Sequence, residues 1–269
     1  MNINLKFLLL GMSLSLISNP LYAQCSPAQN CAELGYKETS NKGGCLKCPF
    51  GNGWYCPEPK EEKAVLGECT GYAKNCSIGQ ILNSDGTCTS DKVSGKTPIG
   101  VVVYIGRDNC GQALALKELG VMQWSAESVD VPDLQNYSSI SGVEKDFDSC
   151  ANTQNIIKQG SIGTYPASWA AVNYVPSSVP MTKGKWCLPA FGVARSMMNN
   201  YDRINSGLLK AGGEALPPKS DYGHWYWSSS EYDANRAWGW DYRTDKSYRD
   251  YDKDLVNSNG GYISPVIVF

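Results

Sequence analysis

Residues 223–242 read GHWYWSSSEYDANRAWGWDY and contain four of the eight tryptophans and the only histidine of the chain. Side chains of a β-strand point to alternate faces, so Trp238, Trp240 and Tyr242 would share one face of a strand through RAWGWDYR (236–243). A face with two indoles and a phenol favours burial, because each ring removes a large apolar area from water. We predict that this aromatic face belongs to the core, and the tryptophans of HWYW, also two residues apart, are interpreted in the same way.

The opposite face of this strand and the turns around it are polar, and there we predict the binding surface. Tyrosine offers a large contact area at low entropic cost, while Ser, Asn, Asp and Arg provide adaptable hydrogen bonds, a composition typical of binding surfaces. A solvated, turn-rich surface without a ligand is the alternative interpretation. The predicted ligand-binding residues are Tyr232, Asp233, Asn235, Arg236, Asp241, Arg243, Tyr248, Arg249 and Tyr251.

The first 23 residues are typical of a secretory signal peptide. Lys6 supplies a positive charge, FLLLGMSLSLIS (7–18) an apolar segment, and Ala23 a small residue for cleavage. No later segment is apolar over the length of a transmembrane helix, so we expect a secreted or cell-surface protein. The net charge of −2, without a basic patch, argues against nucleic acid as a partner.

The eleven cysteines are unevenly distributed, with eight of them between Cys25 and Cys88. So small a segment of an exported chain cannot bury enough apolar surface to fold unaided, which favours a disulfide framework. The pair in CLKC (45–48) would also suit zinc, but no second close pair follows it. We further expect a disulfide between Cys110 and Cys150, with Cys187 left as a buried thiol. The predicted disulfide cysteines are Cys25, Cys31, Cys45, Cys48, Cys56, Cys69, Cys76, Cys88, Cys110 and Cys150.

A polar linker, TSDKVSGKTP (89–98), indicates a domain boundary. We therefore divide the chain into a signal peptide (1–23), a cysteine-rich, disulfide-stapled region with its linker (24–97) and a larger domain (98–269). The predicted elements of the larger domain are strands over 99–106 and 111–119, helices over 150–159, 166–174 and 195–213, and short strands in the final third. Residues 111–119 would also suit a short helix.

Several pieces of the larger domain occur in an order known from one bacterial family. They are NTQNII (152–157), GKWCLPA (184–190), RINSGLLKAGG (203–213), YWSSSEY (226–232) with AW (237–238), and ISPVIVF (263–269). Over about residues 98–269 the chain resembles the domain family named after the C-terminal domain of the Legionella collagen-like adhesin. The block YWSSSEY followed by AW is the most specific piece. One departure is Ile263-Ser264, where the family commonly has an arginine before the proline.

The resemblance implies an α+β, C-type-lectin-like fold, in which two or three helices surround a small twisted antiparallel sheet and an irregular region presents a binding face. Members of the family are generally secreted or surface binding proteins, several of them adhesins or glycan binders. The implied protein is adhesin-like and binds a glycan or protein ligand at the cell surface, where oligomerisation would add avidity. The alternative is a structural component of an envelope or appendage assembly without a soluble ligand.

A calcium site is considered because many lectins of this fold bind sugar through calcium. Asp250, Asp252 and Asp254 resemble the start of a calcium loop. Leu255 stands at the sixth position and Gly261 at the twelfth, where an EF-hand has glycine and glutamate, so an EF-hand is rejected. We expect no metal or other cofactor.

Catalysis is the remaining class of function. A Ser-His-Asp or Cys-His mechanism would need His224, which we interpret as a surface residue in a turn before a strand. Formylglycine-generating enzymes share the implied fold and use a pair of cysteines near the C-terminus, whereas the last cysteine here is Cys187. We therefore expect a binding protein and not an enzyme.

Overall fold

The computed structural model describes residues 63–221, 223–243, 248–255 and 260–269, and before them three short strands. These strands are β1 (Lys37–Glu38), β2 (Leu46–Lys47) and β3 (Trp54–Cys56), and they form an antiparallel sheet with β3 in the middle. The predicted signal peptide lies outside the described residues. So do Cys25, Cys31, Cys45, Cys48 and the side chain of Cys56.

The chain divides into two compact units, Met1–Glu62 and Lys63–Phe269. The second unit begins before the predicted boundary at 97/98, because strand β4 (Ile81–Asn83) pairs with strand β6 (Pro98–Ile105) in one antiparallel sheet. Residues 63–97, predicted to lie in a separate cysteine-rich region, therefore belong to the larger domain.

The second unit is a mixed α+β structure, as predicted. Its remaining strands are β5 (Cys88–Thr89), β7 (Gly111–Ala115), β8 (Leu119–Met122), β9 (Trp186–Cys187), β10 (Tyr226–Glu231), β11 (Arg236–Trp240), β12 (Tyr248–Asp252), β13 (Gly261–Ile263) and β14 (Val266–Val268). Its helices are α1 (Ile140–Val143), α2 (Ser149–Lys158), α3 (Pro166–Asn173), α4 (Phe191–Asn199) and α5 (Tyr201–Ala211), with short 3-10 helices at Tyr72–Asn75 and Pro180–Thr182. None of the helices within the described ranges combines the length and the apolar character that a membrane span needs.

Most predicted elements of the larger domain are confirmed. Strand β6 and helices α2 and α3 match the predicted segments, while the strand predicted over 111–119 already ends at Ala115. The helix predicted over 195–213 is two helices, α4 and α5, because Asn200 leaves the helical conformation between them. Gly212 ends α5 with φ of 82°, a left-handed conformation that glycine adopts without steric cost.

Two sheets enclose the core. The six-stranded sheet has the order β5-β4-β6-β7-β14-β9 and is antiparallel, and the five-stranded sheet has the order β12-β11-β10-β13-β8, with one parallel pair, β10 and β13. Helix α4 contacts both sheets. Its residue Met197 belongs to one buried cluster with Leu208 of α5, Val101 of β6 and Trp238 of β11. This apolar cluster holds the end of the five-stranded sheet on which the candidate site lies.

Strand β11 is buried on both faces. Its aromatic face lies in the core as predicted, with Trp238 at 4% and Trp240 at 1% exposure. On the other face Ala237 is fully buried, and a Cβ added to Gly239 would lie within 2.8 Å of the Trp225 ring. The predicted binding surface therefore does not extend over these two positions, because Ala237 belongs to a further apolar cluster with Trp225, Trp227 and residues between β8 and α3.

Three disulfides lie within the second unit. They join Cys69 to Cys110, Cys76 to Cys88 and Cys150 to Cys187. The predicted bond between Cys110 and Cys150 and the predicted free thiol at Cys187 are therefore wrong. The physical reason is the packing of helix α2 against strand β9, which brings Cys150 and Cys187 to a Cα–Cα distance of 5.0 Å.

Candidate functional site

The turn between β10 and β11 brings four of the predicted site residues together with one that was not predicted. They are Tyr232, Asp233, Asn235 and Arg236, joined by Asp250 of the neighbouring strand β12. We call these five residues the tip cluster. The turn forms because the Oδ1 atom of Asp233 accepts the backbone N–H groups of Asn235 and Arg236, each at 2.9 Å, a local arrangement that aspartate favours.

Arg236 is the centre of the tip cluster. Its guanidinium lies 4.2 Å from the centre of the Tyr232 ring, its Nε donates to Asp233 Oδ2 at 3.0 Å, and its Nη1 forms an ion pair with Asp250. The side chain is nevertheless 38% exposed. The arginine is thus fixed in position on three sides while part of it still faces solvent.

Electrostatics at the tip cluster favour the charged forms of both partners. Partial burial alone would raise the pKa of Asp233. The hydrogen bonds from Arg236 and from the backbone N–H groups of the turn, together with the charge of Arg236, outweigh burial, and the pKa lies below its usual value. The same hydrogen bond raises the pKa of Arg236. Two carboxylates surround one guanidinium, so the cluster carries a net negative charge and offers hydrogen-bond acceptors as well as a fixed cation.

A buried ion pair holds the tip cluster from below. Glu231, the last residue of β10, and Lys253, which follows β12, are fully buried and form an ion pair. The Lys253 ammonium also donates to the carbonyl oxygens of Ala234 at 2.8 Å and Val129 at 2.7 Å. The backbone N–H of Lys253 donates to the backbone carbonyl oxygen of Asn235 at 3.0 Å. The turn that carries Arg236 is therefore tied to the interior through its backbone.

Burial moves both members of this ion pair toward their neutral forms. Burial raises the pKa of Glu231 to about 7, although the hydrogen bond and charge of Lys253 oppose the rise. Burial also lowers the pKa of Lys253. Oε2 of Glu231 is buried without a hydrogen-bond partner. This pair is closed to solvent and contributes to the scaffold of the site rather than to its surface.

Two other predicted residues form a separate ion pair at the far end of β11. Arg243 donates from Nε to Asp241 Oδ2 at 2.6 Å, and its backbone N–H donates to Asp241 Oδ1 at 2.9 Å. The Asp241 side chain is only 5% exposed. At about 3.3 Å per strand residue, Asp241 lies roughly 17 Å from Arg236 along the strand, so the structure does not bring this pair to the tip cluster.

The last three predicted residues lie on β12, and they differ in their exposure to solvent. Tyr251 stacks on the Trp225 ring with the ring centres 3.9 Å apart, and burial raises its pKa. Arg249 is exposed, opposite Gly239 in the strand register. Tyr248 pairs with Trp240 in that register, and its side chain lies outside the described residues. Tyr251 is thus part of the aromatic packing, and Arg249 is the β12 residue of this group that faces solvent.

Sequence reasoning missed three charged residues around the site. Asp250 lies in the polar segment after the strand but is not among the predicted ligand-binding residues, and in the structure it pairs with Arg236. Glu231 and Lys253 are separated by 22 residues, and nothing in the polar sequence around Lys253 indicates burial. A signal existed for Asp250 only: it lies one residue from two predicted members, at a position of β12 that faces Trp238.

No metal centre is evident at the tip cluster in the described part of the chain. A search of those residues finds one group of potential ligands, Cys69, Asp108 and Cys110. The two sulfur atoms of that group are joined in a disulfide, so they have no thiolate to offer.

Comparison with known proteins shows a likeness of fold. No family model matches the chain, and no curated protein matches its sequence. Among solved structures, a fimbrial protein from Bacteroides ovatus ATCC 8483 is similar with a TM-score of 0.52 and 12% sequence identity over 72% of this chain. The chain spans about half of that protein, 49% of its length. At this identity the likeness concerns the fold alone, and the resemblance to the Legionella adhesin domain family stays a prediction.

Proposed function

We propose that the protein is a secreted or surface-displayed, adhesin-like binding protein whose C-type-lectin-like domain recognises a glycan or protein ligand at the tip cluster. The observation that carries the proposal is Arg236, which is fixed by Tyr232, Asp233 and Asp250 and is still 38% exposed. A side chain that is already ordered loses little conformational entropy when a ligand binds. Tyrosine and arginine are also the residue types that contribute most often to binding energy at interfaces.

The chemistry of the tip cluster suits a ligand rich in hydroxyl groups. Carboxylate oxygens of Asp233 and Asp250 accept hydrogen bonds, and the Arg236 guanidinium donates them, so sugar hydroxyls would find both kinds of partner. Exposed Asn235 adds an amide that can do both. A protein ligand with a polar surface would use the same groups, and the test below separates the two.

Export fits the covalent structure of the domain. Disulfides persist in oxidising compartments, and three of them lie within the second unit. The fold likeness to a fimbrial protein supports a surface location in the same way.

A second candidate function is a structural role in a surface appendage, and the fimbrial likeness is the observation that favours it. In that role the tip cluster would contact another subunit rather than a soluble ligand. Neither role requires catalysis, and we propose no enzymatic activity.

The test is a glycan array probed with the full, oxidised chain. We expect binding that is lost in Arg236→Ala and retained in Arg195→Ala, a matched control at an exposed arginine on α4 that pairs with Glu144. Binding should be the same with and without a chelator, because we propose no calcium requirement. Folded protein that binds no glycan on the array would contradict glycan recognition. Assembly of the chain into larger particles, measured by light scattering, would then test the structural role.

A further inference from the structure

A pocket lies at the opposite end of β10 from the tip cluster. Its volume is about 220 Å³, below the range of about 300–1,000 Å³ typical of drug-sized ligands, so it suits a group about the size of one amino-acid residue. The floor is apolar: Leu114, Leu208 and Leu216 line it and are 1%, 2% and 9% exposed. The pocket is independent of the tip cluster and shares no residue with it.

The wall of this pocket contains His224, the only histidine of the chain. The residue was predicted to lie on the surface in a turn, but its side chain is only 17% exposed. The imidazole stacks on the Tyr262 ring with the ring centres 3.9 Å apart and the planes at 10°. The plane of the imidazole is therefore fixed by packing.

The hydrogen bonds around His224 leave one nitrogen facing an acceptor. Oε2 of Glu118 accepts from the Tyr226 hydroxyl at 2.7 Å and lies 2.8 Å from His224 Nε2. A carboxylate has no hydrogen to donate, so Nε2 is the donor. Nδ1 lies 3.8 Å from Oδ2 of Asp221, an acceptor on the wall of the pocket. A hydrogen-bond donor that enters the pocket can therefore reach Asp221 beside the imidazole.

The charge of the pocket shows which kind of donor fits. Glu118, Glu214 and Asp221 line it, against Lys117 and the histidine. Glu214 and Lys117 are exposed and the Asp221 side chain is 40% exposed, so the rim carries a net negative charge while the floor is apolar. A ligand that satisfies both has an apolar group that points inward and a positive hydrogen-bond donor at the rim.

We propose that this pocket binds the free N-terminus of a partner polypeptide that begins with an aliphatic residue. The aliphatic side chain lies against Leu114, Leu208 and Leu216, and the α-ammonium group donates to Asp221 Oδ2. The acidic rim attracts the ammonium group and repels a free carboxylate, which separates a polypeptide N-terminus from a free amino acid. The proposal goes beyond ligand recognition at the tip cluster and does not depend on it.

The first experiment is calorimetric titration of the full, oxidised chain with the tripeptide amide Leu-Ser-Ser. Its N-acetylated form removes the positive charge alone, and Gly-Ser-Ser amide removes the aliphatic side chain alone. We expect each to bind at least about tenfold more weakly than Leu-Ser-Ser amide, since either loss is worth on the order of one power of ten in affinity. No binding of Leu-Ser-Ser amide, or equal binding of the acetylated form, would overturn the proposal. Free leucine that binds as tightly as the tripeptide would overturn the assignment to a polypeptide N-terminus.

Variants locate the binding. Asp221→Asn and Glu118→Gln keep the shape of the side chains and should each weaken Leu-Ser-Ser amide by about tenfold. Asp91→Asn, an exposed aspartate outside the pocket with 72% side-chain exposure, is the matched control and should bind like the wild type. Arg236→Ala should also bind this peptide normally, so failure at the tip cluster and failure at this pocket are distinguishable. Equal affinity of Asp221→Asn and the wild type for the peptide would show that the peptide does not bind in this pocket.

Discussion

A buried ion pair and the charged residues of the tip cluster lie next to each other at one end of the five-stranded sheet, and they differ in their exposure to solvent. Glu231 and Lys253 are 0% exposed, while Arg236, Asp233 and Asp250 are between 32% and 38% exposed. The buried pair has neutral alternatives that burial favours, since the pKa of Glu231 is raised and that of Lys253 is lowered. The exposed cluster has the opposite tendency, since the pKa of Asp233 is lowered. The buried pair thus stabilises the turn between β10 and β11, whereas the charges of the tip cluster are accessible on its surface.

The largest expected effect is the removal of the buried cation. Lys253→Met leaves Glu231 without its charged partner inside the protein, and breaking a buried pair in this way costs roughly 3–5 kcal/mol of unfolding free energy. Urea denaturation measures the loss. Lys210→Met is the control, since Lys210 pairs with Asp91 at the surface and its loss should change little.

The double variant Glu231→Leu/Lys253→Met sharpens this result. Two apolar side chains of similar size need no partner, so the double variant should be more stable than Lys253→Met alone. A double variant that is less stable than the single one would show that the pair itself, and not the uncompensated carboxylate, accounts for the loss.

The pH dependence of the buried pair should give the next effect. The pKa of Glu231 is about 7 in the folded protein against 4.5 ordinarily, so the folded state binds the proton more tightly than the unfolded state. This contribution to stability is present below about pH 4.5 and is lost as the pH rises through about 7. Unfolding free energies of the wild type and of Glu231→Gln, measured from pH 4 to pH 8, should show that the wild type loses stability relative to the variant. A constant difference over that range would contradict the raised pKa.

A single added methyl group tests whether the second face of β11, which carries Gly239, is tightly packed. In Gly239→Ala the new Cβ would lie 2.7 Å from a Tyr251 carbon and 2.8 Å from the Trp225 ring. We expect a loss of about 1–3 kcal/mol in unfolding free energy, the usual cost of overpacking a filled core. Gly120→Ala on strand β8 is the matched control, because no atom lies within 4 Å of its added Cβ. Equal stability of the two variants would mean that this face of β11 is open after all.

The sequence predicts one face of β11 and not the other, for a physical reason. Alternation along RAWGWDYR places Trp238 and Trp240 together, and burial of rings of that size removes a large apolar area from water. The other face has Ala237 and Gly239, whose small size is as typical of a surface as of a tightly covered layer. Gly239 is covered by Trp225, which immediately precedes β10, and by Tyr251 of β12, and the pattern within one strand does not contain that information.

The candidate site was partly predictable for the same reason. Asp233, Asn235 and Arg236 are close in sequence and form one turn, so local reasoning brings them together. Asp250 and Lys253 reach the turn from β12 and the residues after it, and that requires the register of the sheet. Cysteine pairing has the same limit, because Cys150 and Cys187 meet through the packing of α2 on β9.

The smallest effect on stability, and the decisive one for function, is expected from Arg236→Ala. Its ion pairs are partly exposed and screened by water, so thermal unfolding should stay near that of the wild type and well above that of Lys253→Met. Binding on the glycan array should nevertheless be lost, because the guanidinium is the part of the tip cluster that faces solvent already ordered. If Arg236→Ala unfolded at as low a temperature as Lys253→Met, Arg236 would have a structural role like that of the buried pair Glu231 and Lys253. Unchanged stability with unchanged binding would exclude that structural role and move the ligand away from the tip cluster, with Arg249→Ala as the next residue to test on β12.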